Sequence, residues 1–482
     1  MIALRRLWVA SISPFLFACT TVGPDYKIPD NAAVRSQQSQ GRFTASEHAS
    51  VSGDLAPDAW WRLYEDERLD GIVLQALKAN ADIRVAMANL RRAVAAYHEV
   101  EAESLPQGEF RGKAERAQLS GQSFLQTTQP PVFNLGDFGL GVSYLIDLFG
   151  KLARADEAAL AAAQASEAAL DSVRIAVVAH TVRAYVMGCA ANHELEVAQH
   201  QLEIQERAVS TTRRLADHGR TDPTAPIRAQ VQADLLRGTL PTLRAMRDEA
   251  HFQLAYLLGK SPAALPREET ECHAEPSISR PLPVGDGAAL LKRRPDIRQA
   301  ERELAAATAR IGVATADLYP SISIGASAGL TGIMRDLGSG PTARWGVGPL
   351  LTWNFPTNGV RPRIHGREAE ADAALARFDR AVLKALQETE TALSAYTNAQ
   401  QQVDALRSAT KQAEEAARHE RARYRAGRSP YLAQLDAERT MADTSLALAQ
   451  AESKVALKQV DLFLALGGGW QSSQSATSSS HD

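Results

Sequence analysis

Two kinds of hydrophobic spacing alternate along this chain, and the first has period two. Phe138, Leu140, Val142, Tyr144 and Ile146 are apolar, with Gly139, Gly141, Ser143 and Asp147 between and after them. Ile322, Ile324, Ala326, Ala328 and Leu330 alternate with Ser321, Ser323, Gly325, Ser327 and Gly329. Ala343, Trp345, Val347, Pro349, Leu351, Trp353 and Phe355 alternate with Thr342, Arg344, Gly346, Gly348, Thr352 and Asn354. A weaker run from Glu109 to Leu119 sets Glu109, Arg111, Lys113 and Glu115 against Phe110, Gly112 and Ala114. Such runs predict strands with one face in an apolar medium and the other in a polar one. A half-buried sheet in a soluble α+β domain would alternate in the same way. Four strands of about ten residues, with Gly and Ser on the polar side and aromatics near the ends, fit transmembrane barrel strands better. Lipid tolerates no unpaired backbone, so a spanning sheet must close, and about eight strands is the usual minimum. Oligomerisation is therefore expected, and three copies would supply twelve strands.

The second spacing is helical. No proline interrupts residues 151–218, where Leu170, Val173, Val177, Ala184, Met187, Ala191, Leu195, Ala198, Leu202 and Val209 recur at three and four, with His180 and Gln205 as polar members of the seam. A helix of that length extends about 100 Å, more than a globular domain needs. Residues 363–426 carry a similar seam through Ala371, Ala374, Phe378, Ala381, Ala392, Ala395, Ala399 and Leu406. Alanine-rich seams let helices approach closely, as in coiled coils. Both helices meet the same stop. Gly219 and Gly427 suit the left-handed position after a helix, and Asp222-Pro223 and Ser429-Pro430 offer an N-cap followed by proline at the first helical position. Each long helix should thus reverse into a partner that ends near Gly259 or Gly467.

These elements occur twice. Ala81-Asp82-Ile83-Arg84 returns as Pro295-Asp296-Ile297-Arg298, Gly139-Leu140-Gly141 as Gly346-Val347-Gly348, and His218-Gly219-Arg220 as Ala426-Gly427-Arg428, at an offset of about 210 residues. The expected organisation is a first repeat over 60–265, a linker over 266–284 and a second repeat over 285–470. Each repeat reads helix, two strands, long helical hairpin.

Charge and composition narrow the function. The 482 residues hold 53 Lys+Arg against 56 Asp+Glu, a net charge of −3. With no concentrated basic block, a nucleic-acid partner is not expected. Mean hydropathy is −0.23, and beyond the N-terminus no apolar run approaches the roughly 18 residues of a spanning helix. That argues against a helical membrane protein, whereas barrel strands leave little trace in hydropathy. Residues 1–18, with Arg5 and Arg6 ahead of an apolar stretch to Phe17, read as an export signal. Leu16-Phe17-Ala18-Cys19 resembles a bacterial lipobox, which would make Cys19 the lipidated N-terminus of an extended segment over 19–59. Thr20, in place of Asp, fits outer-membrane retention. The alternative is a plain secreted chain that discards Cys19. Export would permit a disulfide between Cys189 and Cys272, but two isolated cysteines make no framework; both are expected as structural residues, with a bridge between them left open. Residues 471–482 are Ser-rich and expected to be disordered.

Catalytic signatures are lacking. His193-Glu194 begins like a zinc-protease helix, but Val197 stands where the second histidine belongs, and neither a Gly-x-Ser-x-Gly elbow nor a phosphate-binding loop occurs. No enzyme activity, cofactor or metal is expected.

Cys19 with Gly23-Pro24-Asp25-Tyr26, Trp60-Trp61, Tyr144-Leu145-Ile146-Asp147-Leu148-Phe149-Gly150-Lys151, Arg293-Arg294-Pro295-Asp296-Ile297, Asp317-Leu318-Tyr319-Pro320, Tyr424-Arg425-Ala426-Gly427 and Ala465-Leu466-Gly467-Gly468-Gly469-Trp470 together resemble the TolC-like outer membrane factors. The match is best with the OprM/NodT-type efflux lipoprotein branch and spans residues 19–470. The resemblance implies an α+β membrane protein: a homotrimer with a twelve-stranded β-barrel in the outer membrane, continued by a long periplasmic α-helical barrel closed at its tip. It implies an inner-membrane pump of the RND type and a periplasmic adaptor as partners, outer-membrane lipid around the barrel, and passive export of small molecules. By motif, Leu432 and Asp436 correspond to the constricting gate residues, and Tyr424 and Arg439 to neighbours that hold the closed state. Ala433, and Ala225 at the matching place in the first repeat, stand where a further gate aspartate can occur, so one acidic ring is expected. Two other readings remain open: a periplasmic coiled-coil lipoprotein scaffold without a pore, and the outer-membrane duct of a type I protein secretion system.

Overall fold

The computed structural model describes residues 21–468 apart from 45–48, 126, 270–271, 273–275 and 279. The expected signal peptide over 1–18, Cys19 and the tail over 471–482 lie outside the described residues. In chain order the elements are α1 (Gln37–Gln40), β1 (Val51–Ser52), α2 (Glu67–Ala79), α3 (Ala81–Glu103), β2 (Gln107–Gln118), β3 (Val132–Ile146), α4 (Lys151–Asp217), α5 (Ala225–Leu257), β4 (Leu282–Pro283), α6 (Gly287–Arg293), α7 (Pro295–Ala316), β5 (Ser321–Ile333), β6 (Ala343–Thr352), α8 (Val360–Arg425) and α9 (Tyr431–Ala465). They form two compact units. One takes residues up to Pro29 with 89–167 and 299–378, the other 30–88, 168–298 and the chain from Asp379.

The first unit carries an antiparallel sheet in the order β2-β3-β5-β6. Its register places Phe110 opposite Leu140, Ala328 opposite both Leu140 and Trp345, and Ile324 opposite Tyr144. One face therefore gathers Phe110, Leu140, Val142, Tyr144, Ile324, Trp345, Val347 and Leu351, all of them exposed in the single chain. The other face holds Glu109, Arg111, Lys113, Asp137 and Arg344 among glycines and serines. Asp137 accepts hydrogen bonds from Thr331 Oγ1 at 2.9 Å and Arg344 Nη2 at 2.7 Å, tying three strands together. β6 stops at Thr352, short of the alternation that continues to Phe355. Trp353 instead turns its indole to donate to the Leu318 carbonyl at 3.3 Å, and Pro356 has no N–H for a ladder.

The same unit holds the start of the described chain. Thr21 lies so close to Gly150 (φ +74°) that a side chain there would meet the Thr21 backbone at 2.8 Å. Val22 N donates to Phe149 O at 3.0 Å. Arg154, whose side chain is 7% exposed, donates to Val22 O at 3.2 Å and pairs with Asp25 at 2.6 Å and Glu157 at 2.7 Å. Tyr26 donates to Glu301 at 2.8 Å, and Arg302 lies over its ring. The Gly-Pro-Asp-Tyr motif is thus a clamp on the first turns of α4 and on α7.

In the second unit the duplication is visible in the bonds. Asn80, immediately before α3, caps it by accepting from Asp82 N and Ile83 N, and donates to Leu257 O at the end of α5, at 3.1 Å. Arg294, immediately before α7, likewise donates to Ala465 O at the end of α9, at 2.9 Å, and pairs with Asp296 at 2.7 Å and Glu388 at 2.8 Å. Trp60 stacks on Phe463 with centroids 4.6 Å apart and donates to Gly468 O. Residues 30–59 are not extended throughout: α1 forms, and β1 pairs in parallel with β4.

One expectation left open is decided here and two need correction. Cys189 and Cys272 are bridged by a disulfide, with Cα atoms 5.3 Å apart, because the segment after α5 folds back onto α4. His180 is exposed, not a seam member, although Gln205 is buried and donates to Ala229 O at 3.1 Å. One window of α4 is apolar enough to cross a membrane by composition, and 61% of it is buried, so its apolarity belongs to packing.

Glu194 is buried, and that burial pushes its carboxyl above the ordinary value of 4.5, with Ser453 and His193 opposing. The folded chain holds this proton more tightly than the unfolded one, so stability is lost as pH rises through the window just above about 4.5. Glu194→Gln is expected to raise the thermal midpoint at pH 7 by about 2 °C and to leave it unchanged at pH 3.5; differential scanning calorimetry at both values checks this. Arg294→Ala leaves the Ala465 carbonyl and Asp296 without their partner, while Glu388 keeps Lys384 at 3.6 Å, and is expected to cost about 2 kcal/mol in thermal or chemical unfolding, with Arg294→Lys recovering only part.

Candidate functional site

The hairpin turns that join α4 to α5 and α8 to α9 are built alike. Gly219 (φ +71°) and Gly427 (φ +65°) take left-handed backbone. Around them Arg220 N donates to Leu215 O at 2.8 Å and Arg428 N to Arg423 O at 2.9 Å, closing the last carbonyls of each long helix. The start of the returning helix departs from expectation. Pro223 and Pro430 precede α5 and α9 and do not begin them, since the helices start at Ala225 and Tyr431 with Thr224 and Pro430 at the N-cap. Asp222 accepts from Thr224 N at 2.7 Å and so braces the turn, not the helix. Ser429 gives its hydroxyl to the Glu420 carboxylate at 2.7 Å, a charged acceptor that outcompetes a capping role.

Past the second turn, Leu432, Asp436 and Arg439 come to one face of α9. Leu432 is 53% exposed, and Arg439 Nη2 lies 3.0 Å from Asp436 Oδ1, both side chains at least half exposed. They line a cavity of about 620 Å³ whose far wall is α4 and α5 of the first hairpin, through Gln205, Arg228, Ala229 and Gln232. Ala433 on α9 and Ala225 on α5 also line that cavity. Tyr424 does not join them. Its ring packs against Tyr431 at 4.9 Å between centroids. Burial, with the Glu438 carboxylate nearby, pushes the Tyr431 hydroxyl up to about 12.

One cluster went unread in the sequence. Glu438, 7% exposed, accepts from Arg421 Nη2 at 3.1 Å, Arg421 Nε at 3.2 Å and Gln434 Nε2 at 3.0 Å. It ties α8 to α9 directly behind the Asp436 face. The spacing of Gln434 and Glu438 by four was a signal, but the partner Arg421 lies across the turn. Among the described residues no cluster of histidine, cysteine or carboxylate groups could hold a metal ion. The arrangement offers a charge pair and an apolar side chain at a helical turn, suited to holding or releasing a contact.

A four-stranded sheet with one exposed apolar face, in a chain of paired long helical hairpins, defines a class of membrane-strand proteins with a helical body. The model of the outer membrane efflux protein family matches residues 72–260 and 288–468, and the chain belongs to that family. It is 29% identical over 458 residues to Nodulation protein T of Rhizobium leguminosarum bv. trifolii, covering 94% of this chain and 96% of that one. It is 29% identical over 470 residues to the Antibiotic efflux pump outer membrane protein ArpC of Pseudomonas putida, covering 97% and 96%. The solved structure of the outer-membrane channel OprN superposes with a TM-score of 0.86 at 34% identity, over 93% of this chain and 99% of that one. The protein is placed in the outer membrane and extends into the periplasm.

Arg421→Ala leaves Glu438 buried with Gln434 alone. It is expected to cost about 3 kcal/mol locally, seen as faster hydrogen exchange over residues 415–445. Adding Glu438→Gln should recover much of the protection, because the stranded charge is gone.

Proposed function

We propose that the protein is a passive exit duct in which three copies join their four-stranded sheets into a twelve-stranded barrel, with the helical hairpins forming a periplasmic α-barrel. The observation that carries this reading is the sheet. Among the described residues β2 and β6 each have one strand neighbour, and the face they share presents Phe110, Leu140, Trp345 and Val347 to the surroundings. A water-exposed sheet of that kind would aggregate, and one in lipid cannot leave its outer edges unpaired, so further copies must complete it. The polar face, lined by Gly, Ser and balanced charges, then borders a wet lumen.

The two repeats, 60–265 and 285–470, each supply two strands and one hairpin. The clamp on Thr21 to Tyr26 supports lipidation at Cys19: it fastens the chain two residues beyond that cysteine, beside Gly150 and the end of β3. The tip is closed by Leu432 and Asp436 with Arg439 beside them, and Tyr424 supports the turn through Tyr431. A periplasmic adaptor and an RND-type pump feed the duct with small molecules, a reading supported by the efflux role in the name of ArpC.

In planar bilayers the wild-type protein is expected to conduct poorly and Asp436→Ala to raise the conductance about tenfold, because the Arg439 pair and its apolar neighbour no longer hold the mouth. Conductance unmoved by that change would remove Asp436 from the gate. A monomeric, wholly helical product from outer-membrane extracts would remove the barrel itself.

A further inference from the structure

Among the described residues β2 and β6 form the two edges of the sheet. The three antiparallel steps between them leave these strands running in opposite directions, so β6 of one copy meets β2 of the next in the same antiparallel way. Face matching restricts that pairing to registers two residues apart, because a slip by one turns the apolar side chains of one strand onto the polar face of the other. The side chains at the two edges are complementary in size. On the apolar face β6 carries Trp345, Val347 and Leu351, all exposed, whereas β2 carries Gly108, Gly112 and Ala114 around Phe110. On the polar face the order is reversed: β2 carries the long side chains of Arg111 and Lys113, and β6 carries Gly346 and Gly348. The space over Gly108 and Gly348 is open. The chain itself shows how such a place is filled. Arg344 of β6 reaches across to Asp137 of β3 with its guanidinium over Gly139, where a Cβ would meet Nη2 at 3.0 Å.

We propose that β6 of one copy pairs with β2 of the next in the register that sets Thr352 opposite Gln107, the last residue of one strand against the first of the other. The inference rests on the barrel reading above and fixes how its copies join. In this register Trp345 faces Ala114, Val347 faces Gly112 and Leu351 faces Gly108 on the apolar side. On the polar side Arg111 and Lys113 face Gly348 and Gly346, and Arg344 stands opposite Glu115. Sliding by two residues one way sets Arg344 against Lys113, a like-charge pair. Sliding the other way moves Arg344 to Ala117 and Phe110 to Leu351, and leaves Gln107 without a partner in β6. The row of opposed residues Gln107, Ser143, Gly325 and Gly348 then continues to Arg111 of the next copy, a rise of four residues per copy. Over twelve strands that stagger gives a tilt of about 35°, the ordinary slope of closed barrels.

Two doubly substituted chains test the register: Gly348→Cys with Arg111→Cys on the polar face, and Trp345→Cys with Ala114→Cys on the apolar face. Faces alternate with the two kinds of ladder pair, so one of the two sets has the closer, non-hydrogen-bonded spacing. Oxidised with copper–phenanthroline in outer membranes, the full-length protein of at least that set is expected to run as a covalently linked trimer on denaturing gels. Gly348→Cys with Lys113→Cys, and Trp345→Cys with Gly112→Cys, move the sulfurs about 7 Å along the strand and are expected to link at least tenfold less. Should one set fail to fold, the other carries the same comparison on the opposite face. Linking that is as strong in a shifted combination overturns the register and leaves the barrel standing. No linked trimer from any combination overturns the register and the barrel together.

Discussion

A peptide group in hydrocarbon has no water to bond, and this requirement governs the rest of the molecule. The four strands satisfy one another through three antiparallel ladders, but among the described residues the outer edges of β2 and β6 have no strand partner. The apolar side chains that make one face of the sheet compatible with lipid make it unsuitable for water. The proposed trimer answers both demands at once: each edge meets an edge of another copy, and each apolar face meets the bilayer.

Duplication lets one solution serve twice, although with different side chains. Asn80 and Arg294 hold equivalent places, each binding the last carbonyls of the hairpin that its own repeat supplies. The neutral amide needs nothing further, whereas the guanidinium brings a charge into a buried place and needs Asp296 and Glu388 as counterions. At the turns the two hairpins diverge in charge. Both hairpins keep the left-handed glycine, but only the second places an acidic residue, Asp436, on the cavity face, opposite Ala229 and Gln232 of the first. The Arg421–Glu438 pair behind that face fixes the backbone that carries it.

Much of the architecture was legible along the chain because it is periodic. The alternation through Phe138 to Ile146 is a local consequence of strand geometry, and the seam of α4 a local consequence of 3.6 residues per turn. Left-handed glycine at 219 and 427 is likewise a property of single residues. What was left open or escaped notice joins residues distant in sequence. The Cys189–Cys272 bridge, the clamp of Arg154 on Asp25 and the Arg421–Glu438 pair each depend on which helix returns beside which. Local competition misled as well, since Ser429 is a good N-cap by type and yet bonds Glu420, which no window around Ser429 would weigh.

The sequence by itself determined the kinds of element, their order, their repetition and the chemical character of each face, since these depend on residue type and spacing within one strand or helix. Tertiary structure alone decided which charges found partners, and that Tyr424 packs on Tyr431 while Arg439 reaches Asp436. Pairing between distant segments depends on angstrom-scale approach, and a one-dimensional pattern does not contain that distance.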